Sequence, residues 1–137
     1  MAAPYAGGCQ CGKIRYEITG TPKALVVCHC TDCQRQSGSA FGMTLPVNEA
    51  DFRLTQGEVK TFASKSEAGR GKLGAFCPEC GTRIYHKPEW RKGTVSVKPG
   101  TLDDTSWLTP EIHLWTSSRQ RWVRVPDDVK AFEKQPS

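Results

Sequence analysis

With 137 residues, 37% of them hydrophobic, and 19 Lys and Arg against 14 Asp and Glu, the chain has the size and apolar content of one folded domain over residues 1–137 rather than those of a disordered segment. Its formal charge of +5 suggests a polyanionic partner, but seven cysteines weaken that suggestion, because metal-bound thiols are ionised and seven thiolates outweigh two dications. No basic leader precedes an apolar run and no stretch of about 18 apolar residues occurs, so the expectation is a cytoplasmic protein with no membrane contact, nucleic acid being an unlikely partner.

Abundant Gly and Pro, with many Val, Ile, Thr and aromatic residues, favour short strands and turns, hence a mainly β fold. The chain opens with Gly7-Gly8-Cys9-Gln10-Cys11-Gly12 and runs into the alternation Lys13-Ile14-Arg15-Tyr16-Glu17-Ile18, which reads as a half-buried strand. On an extended segment Cys9 and Cys11 share a face and can clasp one ion, although two small core residues would look the same. After a turn at Gly20-Thr21-Pro22, residues 24–27 read as a buried strand that delivers the chain to Cys28-His29-Cys30-Thr31-Asp32-Cys33. Three thiols within six residues suit a soft metal ion, for which we take zinc. Cys28 and Cys30 share a face, and Cys33 joins them if a short helix runs from Thr31 to Gln36 and stops near Gly38. Backbone N–H groups at that junction would favour an anionic ligand. His29, between two cysteines on one face, points the other way.

Residues 41–45 form a further expected strand, stopped by Pro46, and Asn48 is placed to cap one helical turn before a strand over 52–55. Gly57 turns the chain into 59–63. Residues 64–72 are polar and glycine-rich, an exposed loop in which Arg70 and Lys72 offer a weak case for an anion. Residues 73–76 then lead to Cys77-Pro78-Glu79-Cys80-Gly81-Thr82, where two thiols straddle a tight turn. Strands are expected over 83–86 and 94–97, separated by a loop holding Pro88 and Gly93 and followed by a Pro99-Gly100 turn. Residues 103–110 are irregular, with Trp107 as packing. Alternation over 112–115 puts His113 and Trp115 on one face, and 117–122 is polar, cationic and aromatic before the tail turns at Pro126.

The cysteine spacing divides the thiols in two. The Cys77 and Cys80 half-site needs a second pair, which Cys9 and Cys11 supply as a closed four-thiol shell around a structural zinc. Cys28, Cys30 and Cys33 remain together around a second zinc, with one coordination position open. Two Zn2+ per chain are expected, the second more labile. A fourth ligand from His29, His86 or His113 would instead make the second site structural. The same three histidines are the available proton shuttles near neutral pH, and a lone strand His is more often merely packed.

These groups, Gly8-Cys9-Gln10-Cys11-Gly12, Cys28-His29-Cys30-Thr31-Asp32-Cys33 with Arg35 and Gly38-Ser39, Phe76-Cys77-Pro78-Glu79-Cys80-Gly81-Thr82, and His113-Leu114-Trp115-Thr116-Ser117-Ser118-Arg119 with Trp122, give the chain a nearly full-length resemblance to the glutathione-dependent formaldehyde-activating enzyme family, which includes relatives of centromere protein V. The resemblance implies a β-tent of antiparallel sheets with short helical turns, stapled by the structural zinc on Cys9, Cys11, Cys77 and Cys80, with the second zinc on Cys28, Cys30 and Cys33. It further implies glutathione as ligand and its condensation with formaldehyde to S-hydroxymethylglutathione, a carbon–sulfur lyase-type reaction. Arg35, Ser39, His113, Ser118 and Arg119 are then the candidate substrate-binding residues. The rival expectation is a non-enzymatic zinc module that binds a protein, nucleic acid or small thiol through Arg119, Arg121, Trp122 and Arg124. A third is zinc storage or sensing at the three-thiol site.

Overall fold

The computed structural model describes residues 3–65 and 69–135. In chain order the strands are β1 (Tyr5–Gly8), β2 (Arg15–Ile18), β3 (Val26–Cys28), β4 (Gly42–Asn48), β5 (Phe52–Gln56), β6 (Lys60–Lys65), β7 (Gly71–Phe76), β8 (Arg83–Pro88), β9 (Thr94–Val97), β10 (Ile112–Leu114) and β11 (Lys130–Ala131). The helix α1 covers Thr31–Ser37, and single 3-10 turns occupy Glu49–Asp51, Pro99–Thr101 and Thr116–Ser118. The fold is thus mainly β. Among the described residues no helix is long and apolar enough to cross a membrane. Two compact units are present, Met1–Lys23 with Leu45–Trp107, and Ala24–Thr44 with Leu108–Ser137.

In the first unit β1, β2 and β5 form an antiparallel three-stranded sheet in that order. The alternation of Ile14, Tyr16 and Ile18 survives as burial, with Arg15 and Glu17 between them partly exposed. Tyr16 shares a 2.7 Å hydrogen bond with Thr101 Oγ1, and an aromatic series runs from Tyr16 through Phe52 to Tyr85, with centroids 5.3 and 5.0 Å apart. It packs the small sheet against β8. The second sheet of this unit is antiparallel throughout: Leu45–Asn48 pairs with β9, then β8, β7 and β6 follow. Leu45, Val47, Ile84, Val95 and Val97 are almost wholly buried between these strands, each stabilising by about 1.5–3 kcal/mol.

Several expectations change here. Pro46 lies inside β4 rather than ending a strand: it sits opposite Ser96, and its carbonyl accepts from Lys23 N at 2.9 Å. The N and C=O of one strand residue point to the same side, so its missing N–H faces away from β9 and the ladder loses nothing. The supposed loop over 64–72 is shorter than expected, because Ser64 and Lys65 belong to β6 and Gly71 and Lys72 to β7; residues 66–68 lie outside the described residues. Pro88 ends β8 instead of lying in the loop. Trp107 does pack, stacked on Tyr5 at 4.8 Å.

In the second unit β3 pairs antiparallel with Gly42–Thr44 and parallel with β10, which is itself parallel to β11. The antiparallel sheets expected are thus present, with two short parallel pairings added at β10. β10 and β11 enter from the distant carboxyl-terminal part of the chain, and no hairpin forces them to run against β3. Hydrogen bonds from Glu111 N to Leu25 O at 3.0 Å and from His29 N to Leu114 O at 2.9 Å set the register at both ends. The alternation expected over 112–115 also stops early, since Trp115 adopts φ 58 and turns the chain out of β10.

One buried group of the first unit makes a pH prediction. His86 is buried with Nδ1 unpartnered in the protein, and burial, aided by Lys98, Lys72 and Arg83, holds its pKa down to about 3. The unfolded chain takes that proton below about 6.5, so this contribution to stability is complete above pH 6.5 and is lost as pH falls toward about 3. Unfolding free energies from urea titrations across this window should fall more steeply for the wild type than for His86→Phe, by up to about 1.4 kcal/mol per pH unit; parallel slopes would mean that His86 takes its proton without unfolding.

Candidate functional site

Seven thiols gather in two sets, and each set lies within one unit. In the first, the sulfurs of Cys9, Cys11, Cys77 and Cys80 all lie within 4.8 Å of one another. Cys9 and Cys11 are brought together by a turn, not by the extended segment expected from their spacing: Gly12 N donates to Cys9 O at 3.1 Å, with Gly12 at φ 82. Gln10 N is tied to Thr82 Oγ1 at 3.2 Å, which docks this turn on the one that carries Cys77 and Cys80. The second turn is closed by Gly81 N to Cys77 O at 2.8 Å, with Gly81 at φ 80.

The donor set fits a dication. Cys9 and Cys11 sulfurs are 3.5 Å apart and those of Cys11 and Cys77 3.8 Å, near the separation of about 3.8 Å that tetrahedral sulfurs take around a centre at about 2.3 Å. Nor can four such neighbours ionise together unaided. The Thr82 hydroxyl and amide, with the Cys11 amide, hold Cys80 down to about 5. The Lys13 amide favours the Cys11 thiolate, yet burial and the thiols of Cys9, Cys80 and Cys77 push it up to about 12. For Cys9, burial opposes ionisation, but the amide of Ile14, 3.2 Å from Cys9 Sγ, and the thiols of Cys11 and Cys77 outweigh it and lower the pKa. A cation among the sulfurs removes the conflict.

The second set is built by the end of β3 and the start of α1. Sulfurs of Cys28, Cys30 and Cys33 again lie within 4.8 Å of one another. Cys30 is the N-cap of α1, its Sγ accepting from Cys33 N at 3.3 Å. That amide is therefore spent on a sulfur and is not free for an anionic ligand, as the sequence had suggested. The helix ends at Gly38. Cys33 is buried, and a Cβ on Gly42 would stand 3.1 Å from its Cβ and 3.5 Å from its Sγ, so the facing glycine keeps the space it occupies. Hydrogen bonds with Cys30 and Cys33, then burial, drive the Cys28 thiol far above its ordinary range. These three sulfurs also fit a dication, and among the described residues no His, Asp, Glu or further Cys joins them as a fourth donor.

His29 faces away from the sulfurs, fully buried at 0% exposure. Its Nε2 lies 2.9 Å from His113 Nδ1, with the rings 5.1 Å apart, and Phe41 meets it edge-on at 5.6 Å. Burial, then the charges of His113 and Arg119, lowers the His29 pKa, and burial lowers that of His113, so the pair is neutral and one imidazole N–H donates to the other. His86 belongs to the first unit, on β8.

The second unit also carries an open cleft of about 660 Å³ lined by Thr31, Gln34, Arg35, Gly38, Ser39, Ala40, Gln120 and Trp122. Thr31, Gln34, Arg35 and Gly38 follow one another at the spacing of a single helix face, opposite the buried Cys33. Arg35 is exposed and no carboxylate among the described residues pairs with it. Trp122 is 71% exposed. Of the residues expected to hold substrate, Arg35 and Ser39 line this cleft, whereas His113 is committed to His29 and Ser118 offers its carbonyl to Gln34 at 3.0 Å. Arg119, Arg121 and Arg124 are exposed. Sequence reasoning missed Gln34 and Gln120, because a glutamine on a short polar helix and another in an irregular tail carry no local signal of a shared role.

The sequence profile of the "Glutathione-dependent formaldehyde-activating enzyme" family matches residues 4–118. Among solved structures, a crystal structure of a Rhodobacter sphaeroides protein is similar in fold, with a TM-score of 0.59 at 18% identity over 77% of this chain and 91% of that one.

Native mass spectrometry of the intact protein should find two zinc ions per chain and one in Cys30→Ser. Cys77→Ser should lose the other zinc together with cooperative unfolding of the first unit, as expected when metal binding contributes folding energy of about 10 kcal/mol or more. A single zinc in the wild type would refute the two-centre assignment.

Proposed function

This chain belongs to the glutathione-dependent formaldehyde-activating enzyme family, and from that premise we propose that it is a zinc-dependent enzyme of the carbon–sulfur lyase type acting on glutathione or a glutathione adduct, condensing formaldehyde with glutathione to S-hydroxymethylglutathione. The observation that carries this reading is the set of three sulfurs, Cys28, Cys30 and Cys33, which no fourth His, Cys, Asp or Glu donor completes among the described residues. A zinc ion held by those three thiolates would supply a Lewis acid with one free coordination position, suited to a carbonyl oxygen or a thiolate. By contrast Cys9, Cys11, Cys77 and Cys80 make a filled shell, a structural centre with no position to offer.

The chain's own groups bind and orient. Helix α1 carries Cys33 of the three-sulfur set and also lines the cleft with Thr31, Gln34 and Arg35. The Arg35 guanidinium is a planar fork suited to one of the two carboxylates of glutathione. Ser39 and Thr31 add hydroxyls, and Trp122 provides a flat wall for the peptide. Holding a thiol beside a small aldehyde replaces a bimolecular encounter by a positioned one. In the reaction the S–H bond and the carbonyl π bond break, the thiol sulfur bonds to the aldehyde carbon, the π pair moves onto the carbonyl oxygen, and that oxygen takes the thiol proton to become the hydroxyl. No electrons enter or leave. His113 Nδ1 pairs with His29 Nε2 and so helps to hold the residue that separates Cys28 from Cys30.

A second reading has one observation in its favour: Trp122 is exposed beside the exposed Arg119, Arg121 and Arg124, a surface that a non-enzymatic module would use to bind a protein or nucleic acid. Exchange spectroscopy on glutathione, formaldehyde and their adduct separates the two. The wild type should accelerate exchange, Cys30→Ser should return it to the uncatalysed rate, and Arg35→Ala should demand about 10-fold more glutathione for half-saturation, the loss of one charge-assisted contact. Uncatalysed exchange with the two-zinc wild type would overturn the enzymatic reading.

A further inference from the structure

The cleft and the three-sulfur set are joined by a chain of side-chain amides. Trp122 Nε1 donates to Gln120 Oε1 at 2.8 Å, and Gln120 Nε2 donates to Gln34 Oε1 at 3.2 Å. Gln34 Nε2 then donates twice, to the carbonyl of His29 at 2.8 Å and to that of Ser118 at 3.0 Å. The ends determine the direction of every link. An indole N–H can only donate and a carbonyl oxygen can only accept, so neither amide can turn over without opposing like poles.

The inner end of this chain falls on the residue between two of the cysteines. His29 is the single residue between Cys28 and Cys30, and it is held on every side: its N–H by Leu114 O at 2.9 Å, its imidazole by His113, its carbonyl by Gln34. Gln34 thus governs the peptide that spaces Cys28 from Cys30. The outer end is Trp122, whose indole lines the cleft and whose only donor is the first link.

We propose that Gln34 is a positioning residue through which a carboxylate-bearing thiol peptide in the cleft and the Cys28, Cys30 and Cys33 set act on one another. The inference rests on the cleft being the glutathione site proposed above. A ligand seated against Trp122 and Arg35 restrains the indole, hence Gln120, hence Gln34 and the His29 carbonyl. It favours the arrangement in which the sulfurs are correctly spaced, and by linkage the metal-loaded set favours the ligand to the same degree.

The test uses the intact zinc-loaded protein, a chromogenic chelator, and S-methylglutathione, which keeps both carboxylates and the ammonium of glutathione but has no free thiol. In the wild type, saturating S-methylglutathione should slow release of the zinc that Cys30→Ser lacks by about 5-fold or more, the lower end of ordinary coupling. In Gln34→Met, similar in volume but unable to donate, that ratio should fall to about one, while the indole proton resonance of Trp122 still reports binding. Gln120→Met should do the same from a half-exposed position outside the β framework. Retention of the four-cysteine zinc verifies the fold of each variant's first unit, and circular dichroism that of the second. S-methylglutathione binding with an equal release ratio in the wild type and both variants would overturn the relay and leave the glutathione site intact. If neither S-methylglutathione nor glutathione binds the wild type, both readings are overturned.

Discussion

Mutual repulsion among neighbouring thiolates is the constraint on which the first unit depends. Cys9, Cys11, Cys77 and Cys80 hold their sulfurs within 4.8 Å, too close for four negative charges without a cation among them. Everything nearby serves that closeness. The amide of Ile14 and the hydroxyl of Thr82 already point at sulfurs, and the Gln10 amide bonds to Thr82 to hold the two turns face to face. Closing so long a loop between residues 11 and 77 carries an entropic penalty that grows only slowly with length, and a dication on the four sulfurs would help the valine, leucine and isoleucine core between β4, β8 and β9 to offset it.

The second set obeys the same electrostatics with one sulfur fewer. Its three donors come from a six-residue stretch, so little chain entropy is spent on assembling them. What they lack in long-range closure is supplied by the surroundings: β10 running parallel to β3, the His29 and His113 pair buried behind the turn, and Gln34 bridging two carbonyls across it. A closed shell suits a strut and an open one suits chemistry, and the three-sulfur set stands at the start of the helix that also lines a cleft with an unpaired guanidinium among the described residues.

Legibility in the sequence varied with range. The helix from Thr31 to its end at Gly38, the strand over 94–97 and the turn at Cys77 to Gly81 were all readable, because cap, alternation and turn chemistry act within a few residues. Pro46 misled, since whether a proline breaks a strand depends on which neighbour its nitrogen faces, and here it faces away from β9. Cys9 and Cys11 were correctly associated for an incorrect reason: a turn at Gly12, not a pleat, unites them. The two-residue strand β11 and the parallel direction of β10 had no local signature at all, each being defined only by its partner.

By itself the sequence determined the chemistry available: seven thiols in spacings that divide into four and three, a mainly β chain, and a short helix from Thr31 that stops near Gly38. Those properties are local, set by residue type and by periodicities of two or of about 3.6. Only the tertiary structure decided what stands beside what. It turned His29 onto His113 from 84 residues away, brought Gln120 to Gln34, and left Arg35 and Trp122 lining one cleft. Such neighbours are selected by burial and by the pairing of polar groups across the fold, which no spacing along the chain records.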